Sequence, residues 1–336
     1  MFTTPFTTEY GLDWPVVSSG MAFVARAPLA AAVSGAGGLG VLGATAMPVE
    51  LLEAEVGAIR SATDRSFGVN FIPRFGAADQ VAFCAEARVP VVSFYWDPPE
   101  DGWVDQLHAA GCKVWIQVGS PEEAAAAVQQ GADLVIVQGI EGGGHNRSVA
   151  GTFTIVPAVV DAIGPTPVLA AGGVADGRGV AAALTLGAAG VWVGTRYLTS
   201  HEADANAGYQ ARVLASGVAD TTRHETFGFD FPGAGVRGIR NRIVAEHEGQ
   251  VAPYDGLDPE SQPLVGTANL FGQEVPLVRY MGFPPTAAAE GDLDEMSLLA
   301  GETAGLISEL EPAAEITERL GREAAEILAR AAGSAG

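Results

Sequence analysis

Eight short, continuous apolar runs alternate with segments of helical character in the first 200 residues of the chain. The runs occupy residues 15–19, 39–43, 67–72, 90–96, 113–118, 134–139, 167–173 and 190–195. Continuous apolar character is typical of parallel strands that are covered on both faces. Successive runs start about 21 to 33 residues apart, the length of a βα unit. The pattern predicts an α/β fold, a (β/α)8 TIM barrel. A doubly wound open sheet is the alternative, because a count of strands does not prove closure.

The pattern changes after the eighth run. A helix is predicted over about 200–217, and residues 218–295 are rich in Pro, Gly and Asp, as in FGFDFPGAG. From residue 295 onward the pattern becomes helical and amphipathic. We therefore predict a barrel over 1–217, a smaller lid domain over 218–295 at the carboxyl ends of the strands, and helices over 296–336 that pack back on the barrel.

Charge excludes several classes of partner. The 336 residues include 18 Lys plus Arg and 40 Asp plus Glu, a formal net charge of −22, so nucleic acid and anionic membrane surfaces are not expected partners. The opening MFTTPFTTEYGLDW has neither a basic region nor a long apolar run, so we expect no signal peptide, no transmembrane helix and a cytoplasmic protein. The sequence does not indicate an oligomeric state.

The chain contains a single lysine, Lys113. It begins the fifth predicted strand and so lies at the end of the barrel opposite the expected active site. Schiff-base chemistry, which requires a lysine in the site, is therefore disfavoured.

The loop after the sixth predicted strand is about ten residues longer than its neighbours and reads EGGGHNR from Glu141 to Arg147. Its glycines allow the backbone to approach a ligand closely. They place His145 at the carboxyl end of the barrel, where barrels of this type have their active sites. A neutral imidazole is a natural proton acceptor near pH 7, so we predict His145 to be catalytic. The alternative is a hydrogen-bonded structural histidine. His224 and His247, in the predicted lid, are weaker candidates.

Loops seven and eight predict an anion pocket. Gly172 and Gly173 end the seventh predicted strand, and Gly194 and Thr195 end the eighth. Backbone N–H groups at these two loops commonly hold a phosphate in this fold, with Arg196 as a further candidate. Tight turns needed only for packing are the alternative. A separate G-x-G-x-x-G match, at Gly35, Gly37 and Gly40, follows a helical segment and precedes a strand, which is the wrong order for a dinucleotide site.

Neutral polar side chains end four other strands. They are Ser18, Ser19, Asn70, Gln117 and Gln138, with Met21 close by. Amides at strand ends suit a planar heterocycle with donors and acceptors, such as a flavin or a nucleobase. No H-x-H, paired carboxylate or cysteine cluster accompanies them, so no metal site is expected.

Six segments in order resemble the nitronate monooxygenase family, formerly 2-nitropropane dioxygenases. They are GMAFVARAPLAAAVSGAGGLGVLG, FGVNF, VQGIEGGGH, LAAGGVADGRGVAAALTLGAAGVWVGTRYL, RGIRN and AGETAGLI. The resemblance implies an FMN-binding barrel. It assigns the isoalloxazine contacts to Ser19, Gly20, Met21, Asn70, Gln117 and Gln138, and the ribityl phosphate region to Gly143, Gly144, Gly172, Gly173, Gly194 and Thr195. His145 matches the family's active-site histidine.

The implied activity is FMN-dependent oxidation of alkyl nitronates with O2 to carbonyl compounds and nitrite. The alternative is an NAD(P)H-dependent FMN reductase of enoyl thioesters or quinones, because the relatives include such enzymes. A third hypothesis is a flavin-binding protein without catalytic activity. Three stretches depart from the family's pattern. Residues 141–146 are EGGGHN in place of E-A-G-G-H followed by Arg. Residues 18–21 are SSGM in place of Q-A-P-M, and residues 93–99, SFYWDPP, differ from S-F-H-F-G and predict a bulkier substrate wall.

Overall fold

The computed structural model describes residues 3–334. The outermost residues of the predicted first and last domains, 1–2 and 335–336, lie outside the described residues. The described strands are β1 (Val16–Ser18), β2 (Leu39–Gly43), β3 (Phe67–Phe71), β4 (Val91–Phe94), β5 (Lys113–Val118), β6 (Leu134–Gln138), β7 (Gly144–His145), β8 (Val168–Ala171), β9 (Gly190–Val193), β10 (Thr221–His224), β11 (Val236–Ile239), β12 (Leu264–Leu270), β13 (Gln273–Val278) and β14 (Glu290–Gly291).

The α-helices separate most of the strands, and short 3-10 turns cover Pro73–Phe75, Pro259–Ser261 and Glu302–Leu306. The helices are α1 (Pro5–Tyr10), α2 (Ala27–Gly35), α3 (Val49–Ala62), α4 (Ala78–Glu86), α5 (Trp103–Ala109), α6 (Pro121–Gln129), α7 (Thr152–Ile163), α8 (Gly177–Thr185), α9 (Thr195–Leu198), α10 (Ala207–Leu214), α11 (Arg242–Glu246) and α12 (Ala313–Gly333).

Eight parallel strands close into a barrel in the order β1-β2-β3-β4-β5-β6-β8-β9. Closure is made by β9 pairing with β1, with Val16 opposite Val191 and Ser18 opposite Val193. The predicted (β/α)8 barrel is thus confirmed and the open sheet is excluded. Every barrel strand lies within its predicted run, and β2 and β5 coincide with theirs.

The amino-terminal end of the barrel is sealed by α1. Phe6 and Tyr10 of this helix are buried against the interior residues Trp115 and Leu134, and the indole N–H of Trp115 donates to the Tyr10 hydroxyl at 3.0 Å. Capping this end leaves only the carboxyl ends of the strands available to a ligand.

Lys113 lies at the sealed end, as predicted. Its Nζ pairs with the carboxylates of Glu9 at 2.9 Å and Asp133 at 3.3 Å. No lysine side chain therefore reaches the open end of the barrel.

The region after β9 differs from the sequence prediction in two places. The helix predicted over 200–217 is shorter, because the side chain of Asn206 accepts from the N–H groups of Gly208 and Tyr209 and starts α10 only at residue 207. The chain from 296 to 312 is not an α-helix, since Leu299 bridges to Gly238 and the Leu298 carbonyl accepts from the Ile239 N–H. Only α12 is helical there, and it packs on α8 and α2.

Residues 218–295 contribute five strands to two small antiparallel sheets that were missed from the sequence. One has the order β10-β11-β7 and joins this region to the loop after β6; the other is β13-β12-β14. The division into barrel, lid and C-terminal domains remains a prediction. Within residues 3–334, the helices include none that could span a membrane.

Candidate active site

One cavity of about 220 Å³ opens at the carboxyl ends of the barrel strands, between them and the lid. All thirteen predicted site residues line it: Ser19, Gly20, Met21, Asn70, Gln117, Gln138, Gly143, Gly144, His145, Gly172, Gly173, Gly194 and Thr195. Ser18, also noted at a strand end, is buried instead and accepts from the N–H of Val41 at 3.4 Å.

His145 is fixed through its backbone. It belongs to β7, which pairs with β11 so that His145 lies opposite Val236. Its carbonyl accepts a hydrogen bond from the Tyr95 hydroxyl. The long glycine loop is therefore held at both its lid and barrel sides, and the imidazole keeps a defined position in the cavity.

The His145 imidazole is neutral over the physiological range. Burial lowers its pKa to about 4, and the positive charge of Arg74 acts in the same direction. The buried Nε2 atom has no hydrogen-bond partner within the described residues. An unpaired buried ring nitrogen is costly unless a ligand uses it. The atom is therefore available to accept a proton or to hold an oxygen of a ligand.

The strand-end amides are held by one another and by backbone. Gln117 Nε2 donates to Gln138 Oε1 at 3.1 Å, and Gln138 Nε2 donates to the Gly143 carbonyl at 3.2 Å. Asn70 Nδ2 donates to the Gly20 carbonyl at 3.3 Å, and its oxygen accepts from Ser93. These contacts fix the amide planes, which a heterocycle-binding wall requires.

The glycines of the mouth bring backbone close to the cavity. Gly172 and Gly173 have φ of +90° and +77° at the end of β8. The loop after β6 is anchored nearby, because the Glu141 carboxylate accepts from the Thr152 N–H at 2.9 Å and from its hydroxyl at 3.0 Å.

Arg196 does not face this cavity. Its side chain is 3 % exposed and pairs with Glu311 at 3.1 Å. It also donates to the carbonyls of Glu309 and Thr199. The prediction that Arg196 assists the anion pocket is wrong, because these contacts commit its guanidinium to the C-terminal segment.

Neither lid histidine lines the cavity. Nδ1 of His224 accepts from the Thr226 N–H at 3.2 Å, and His247 contacts the Tyr280 hydroxyl at 3.2 Å. Within residues 3–334, His, Cys, Asp and Glu side chains form no group of three or more suited to a metal ion.

Four of the lining residues that were not predicted from the sequence as site residues bear on the chemistry of the cavity. They are Thr45, whose buried hydroxyl lacks a hydrogen-bond partner in the described chain, Tyr95, Asp230 and Phe231. Tyr95 lies in residues 93–99, whose departure from the family's pattern predicts a bulkier substrate wall. Asp230 and Phe231 come from the lid, where no periodic pattern indicates which residues face inward.

The fold and the cavity define a (β/α)8 barrel with a neutral histidine in the cavity at the carboxyl ends of its strands. The chain belongs to the nitronate monooxygenase family, whose profile matches residues 4–80 and 74–323. The predicted family is thus confirmed, and it is a family of flavin-dependent oxidoreductases that act on small molecules.

Two curated relatives and one solved structure illustrate the similarity. The chain is 41 % identical over 221 residues to the (3aS,4S,5R,7aS)-5-hydroxy-7a-methyl-1-oxo-octahydro-1H-indene-4-carboxyl-CoA dehydrogenase of Mycobacterium tuberculosis, covering 65 % of this chain and 62 % of that one. It is 32 % identical over 368 residues to a nitronate monooxygenase of Pseudomonas aeruginosa, covering 96 % and 99 %. FabK from Thermotoga maritima matches with a TM-score of 0.82 and 31 % identity, over 99 % of this chain and 100 % of that chain.

Proposed function

We propose that the cavity binds FMN. Two of its lining residues, His145 and Thr45, each have a buried polar atom, Nε2 and Oγ1, without a partner in the described chain, and the amides nearby are oriented. Unsatisfied donors and acceptors in an enclosed site fit a polar heterocycle. The residues that would line the isoalloxazine are Ser19, Gly20, Met21, Asn70, Gln117 and Gln138.

The phosphate region would be held by backbone. The candidates are Gly143, Gly144, Gly172, Gly173, Gly194 and Thr195, on the loops after β6, β8 and β9. No lysine or arginine occurs among the described lining residues. Backbone N–H groups and the Thr195 hydroxyl would therefore have to bind the phosphate through hydrogen bonds.

The activity that the site supports best is oxidation of alkyl nitronates with O2 to carbonyl compounds and nitrite. The observation on which this rests is the neutral imidazole of His145, a lining residue whose buried Nε2 has no hydrogen-bond partner in the described chain. That atom would accept the α-proton of a nitroalkane or hold a nitronate oxygen. When bound, FMN would provide the redox chemistry that links oxidation of the substrate to reduction of O2. The lid residue Phe231 excludes water from the imidazole.

A second candidate is an NAD(P)H-dependent oxidoreductase of enoyl thioesters or quinones. It is favoured by the 41 % identity to a relative named as a carboxyl-CoA dehydrogenase and by the full-length match to FabK. The Tyr95–Trp96 wall also differs from the family's usual segment.

Anaerobic titration of the flavin-loaded protein separates the two. We expect propyl-2-nitronate to bleach the flavin absorbance and NADPH to leave it unchanged. His145→Gln should slow the reaction of the neutral acid, 2-nitropropane, by about 10²- to 10⁴-fold while keeping the flavin, as expected for loss of a general base. Fast bleaching by NADPH without reaction of the nitronate would favour the second candidate.

A further inference from the structure

Asp230 places a carboxyl group in the cavity wall from the lid side. It immediately precedes Phe231, whose ring packs on the His145 imidazole at a centroid distance of 4.1 Å. Oδ1 of Asp230 accepts from the Gly282 N–H at 2.6 Å. This acid forms no ion pair with any described residue.

The charge of Asp230 is not compensated by its surroundings. The described lining residues include no lysine or arginine. Arg74, which lies 4.4 Å from the Phe231 ring centroid, is committed to Asp97 through two hydrogen bonds of 2.7 Å. Burial raises the pKa of Asp230 above its ordinary value, because an unpaired carboxylate is poorly solvated there.

The other titratable groups in the wall do not offset this charge. Glu141 is bonded to Thr152, and His145 is neutral above about pH 5 because its pKa is about 4. Burial raises the pKa of the Tyr95 and Tyr209 hydroxyls, which therefore stay protonated. Asp230 is thus a lining acid without an ion pair, and it is the one next to Phe231, the residue that packs on the His145 imidazole.

We infer that Asp230 is a specificity-determining residue that selects substrates by charge. Its ionised form repels an anion in the cavity, whereas its protonated form admits one and can donate a hydrogen bond to it. Neutral ligands, such as a nitroalkane or a thioester carbonyl, are admitted in both states. This inference rests on the proposed function, in which a nitronate or a carbonyl compound occupies the cavity.

The test is calorimetric binding of two isosteric probes, isobutyrate and isobutyramide, to the flavin-loaded protein. Isobutyrate has the shape and charge of propyl-2-nitronate, and isobutyramide is its neutral counterpart. We expect the isobutyrate affinity of the wild-type protein to fall as the pH rises through the raised pKa of Asp230, because the carboxyl group then becomes an anion. The isobutyramide affinity should stay constant.

Asp230→Asn keeps an acceptor for the Gly282 N–H and removes the charge. At a pH at which Asp230 is ionised, it should raise isobutyrate affinity by about tenfold or more, with isobutyramide changed by less than about twofold, since one like charge at close range has an effect of this order. Asp255→Asn is the matched control, because it removes the same charge from the exposed surface of the lid. It should change neither affinity.

The inference is overturned if Asp230→Asn leaves isobutyrate affinity unchanged, if Asp255→Asn changes it equally, or if neither probe binds any of the proteins. Binding is measured without turnover, so the outcome is independent of nitronate oxidation. A protein that gains isobutyrate binding on Asp230→Asn but never oxidises a nitronate would refute the proposed activity and leave this inference standing.

Discussion

The imidazole of His145 packs on the ring of Phe231, with centroids 4.1 Å apart and planes inclined by 32°. Trp96 approaches the same imidazole edge-on, with centroids 6.0 Å apart. His145 comes from the barrel's long loop and Phe231 from the lid, so the lid supplies the apolar surface that desolvates the imidazole. The packing of Phe231 on the imidazole therefore helps to lower the pKa of His145.

Replacing Phe231 tests this link. Phe231→Ala admits water to the imidazole and should raise the pKa of His145 from about 4 toward 6.5, because desolvation is the main cause of its lowering. The acid limb of the kcat/KM profile should move to higher pH by the same amount. Phe229→Ala, in the adjacent lid cluster around Tyr280, is the control. An acid limb that does not move in Phe231→Ala would contradict the assigned role of the lid.

Two buried histidines make stability depend on pH. The pKa values of His145 and His224 are lowered from 6.5 to about 4 in the folded protein. Between these values the unfolded chain binds more protons, so the free energy of unfolding falls as the pH drops from about 6.5 to about 4. Each histidine contributes up to about 3 kcal/mol to this loss at the acid end.

His224→Gln should remove about half of that pH dependence. Urea unfolding at about pH 7 and about pH 4.5 measures it, and the exposed His201 provides a control substitution, His201→Gln, that should keep the wild-type dependence. If the free energy of unfolding falls by the same amount between about pH 7 and about pH 4.5 in His224→Gln and His201→Gln, the pH dependence does not come from the His224 imidazole.

Two glycines should respond in opposite ways to alanine. A Cβ at Gly143 would lie 2.4 Å from the Gly301 nitrogen and 2.5 Å from the Ala300 carbonyl carbon, both backbone atoms. Gly143→Ala should lower the free energy of unfolding by about 1 to 3 kcal/mol and weaken FMN retention. A Cβ at Gly57, inside α3, meets nothing within 4 Å, so Gly57→Ala should raise stability by about 0.5 to 1 kcal/mol.

Urea unfolding and the fluorescence of released flavin measure both variants. If the free energy of unfolding changes in the same direction in Gly143→Ala and Gly57→Ala, close packing of the loop after β6 on residues 300–301 does not stabilise this end of the barrel.

The barrel could be predicted because each of its strands carries its own signal. The apolar runs that become β3, β5 and β6 are covered on both faces, and their carboxyl ends place Asn70, Gln117 and Gln138 around one mouth by the geometry of a closed parallel barrel. The positions of these residues could therefore be predicted without knowledge of contacts distant in sequence.

The lid could not be predicted in this way. His145 faces its lid neighbours because β7 pairs with β11, about ninety residues away, and nothing local in FGFDFPGAG indicates that Asp230 and Phe231 turn inward. The helix predicted from residue 295 failed for a similar reason. The segment before Pro312 pairs with β11 through Leu298 and Leu299, a long-range contact that overrides its helical pattern.

The most direct test of the central claim is whether this cavity binds FMN. Purified protein should show flavin absorbance near about 370 and 450 nm, and denaturation should release FMN at about one per chain. Gly143→Ala should release less FMN than the wild-type protein or Gly57→Ala. Colourless protein that also fails to take up added FMN would contradict the assignment of the cavity.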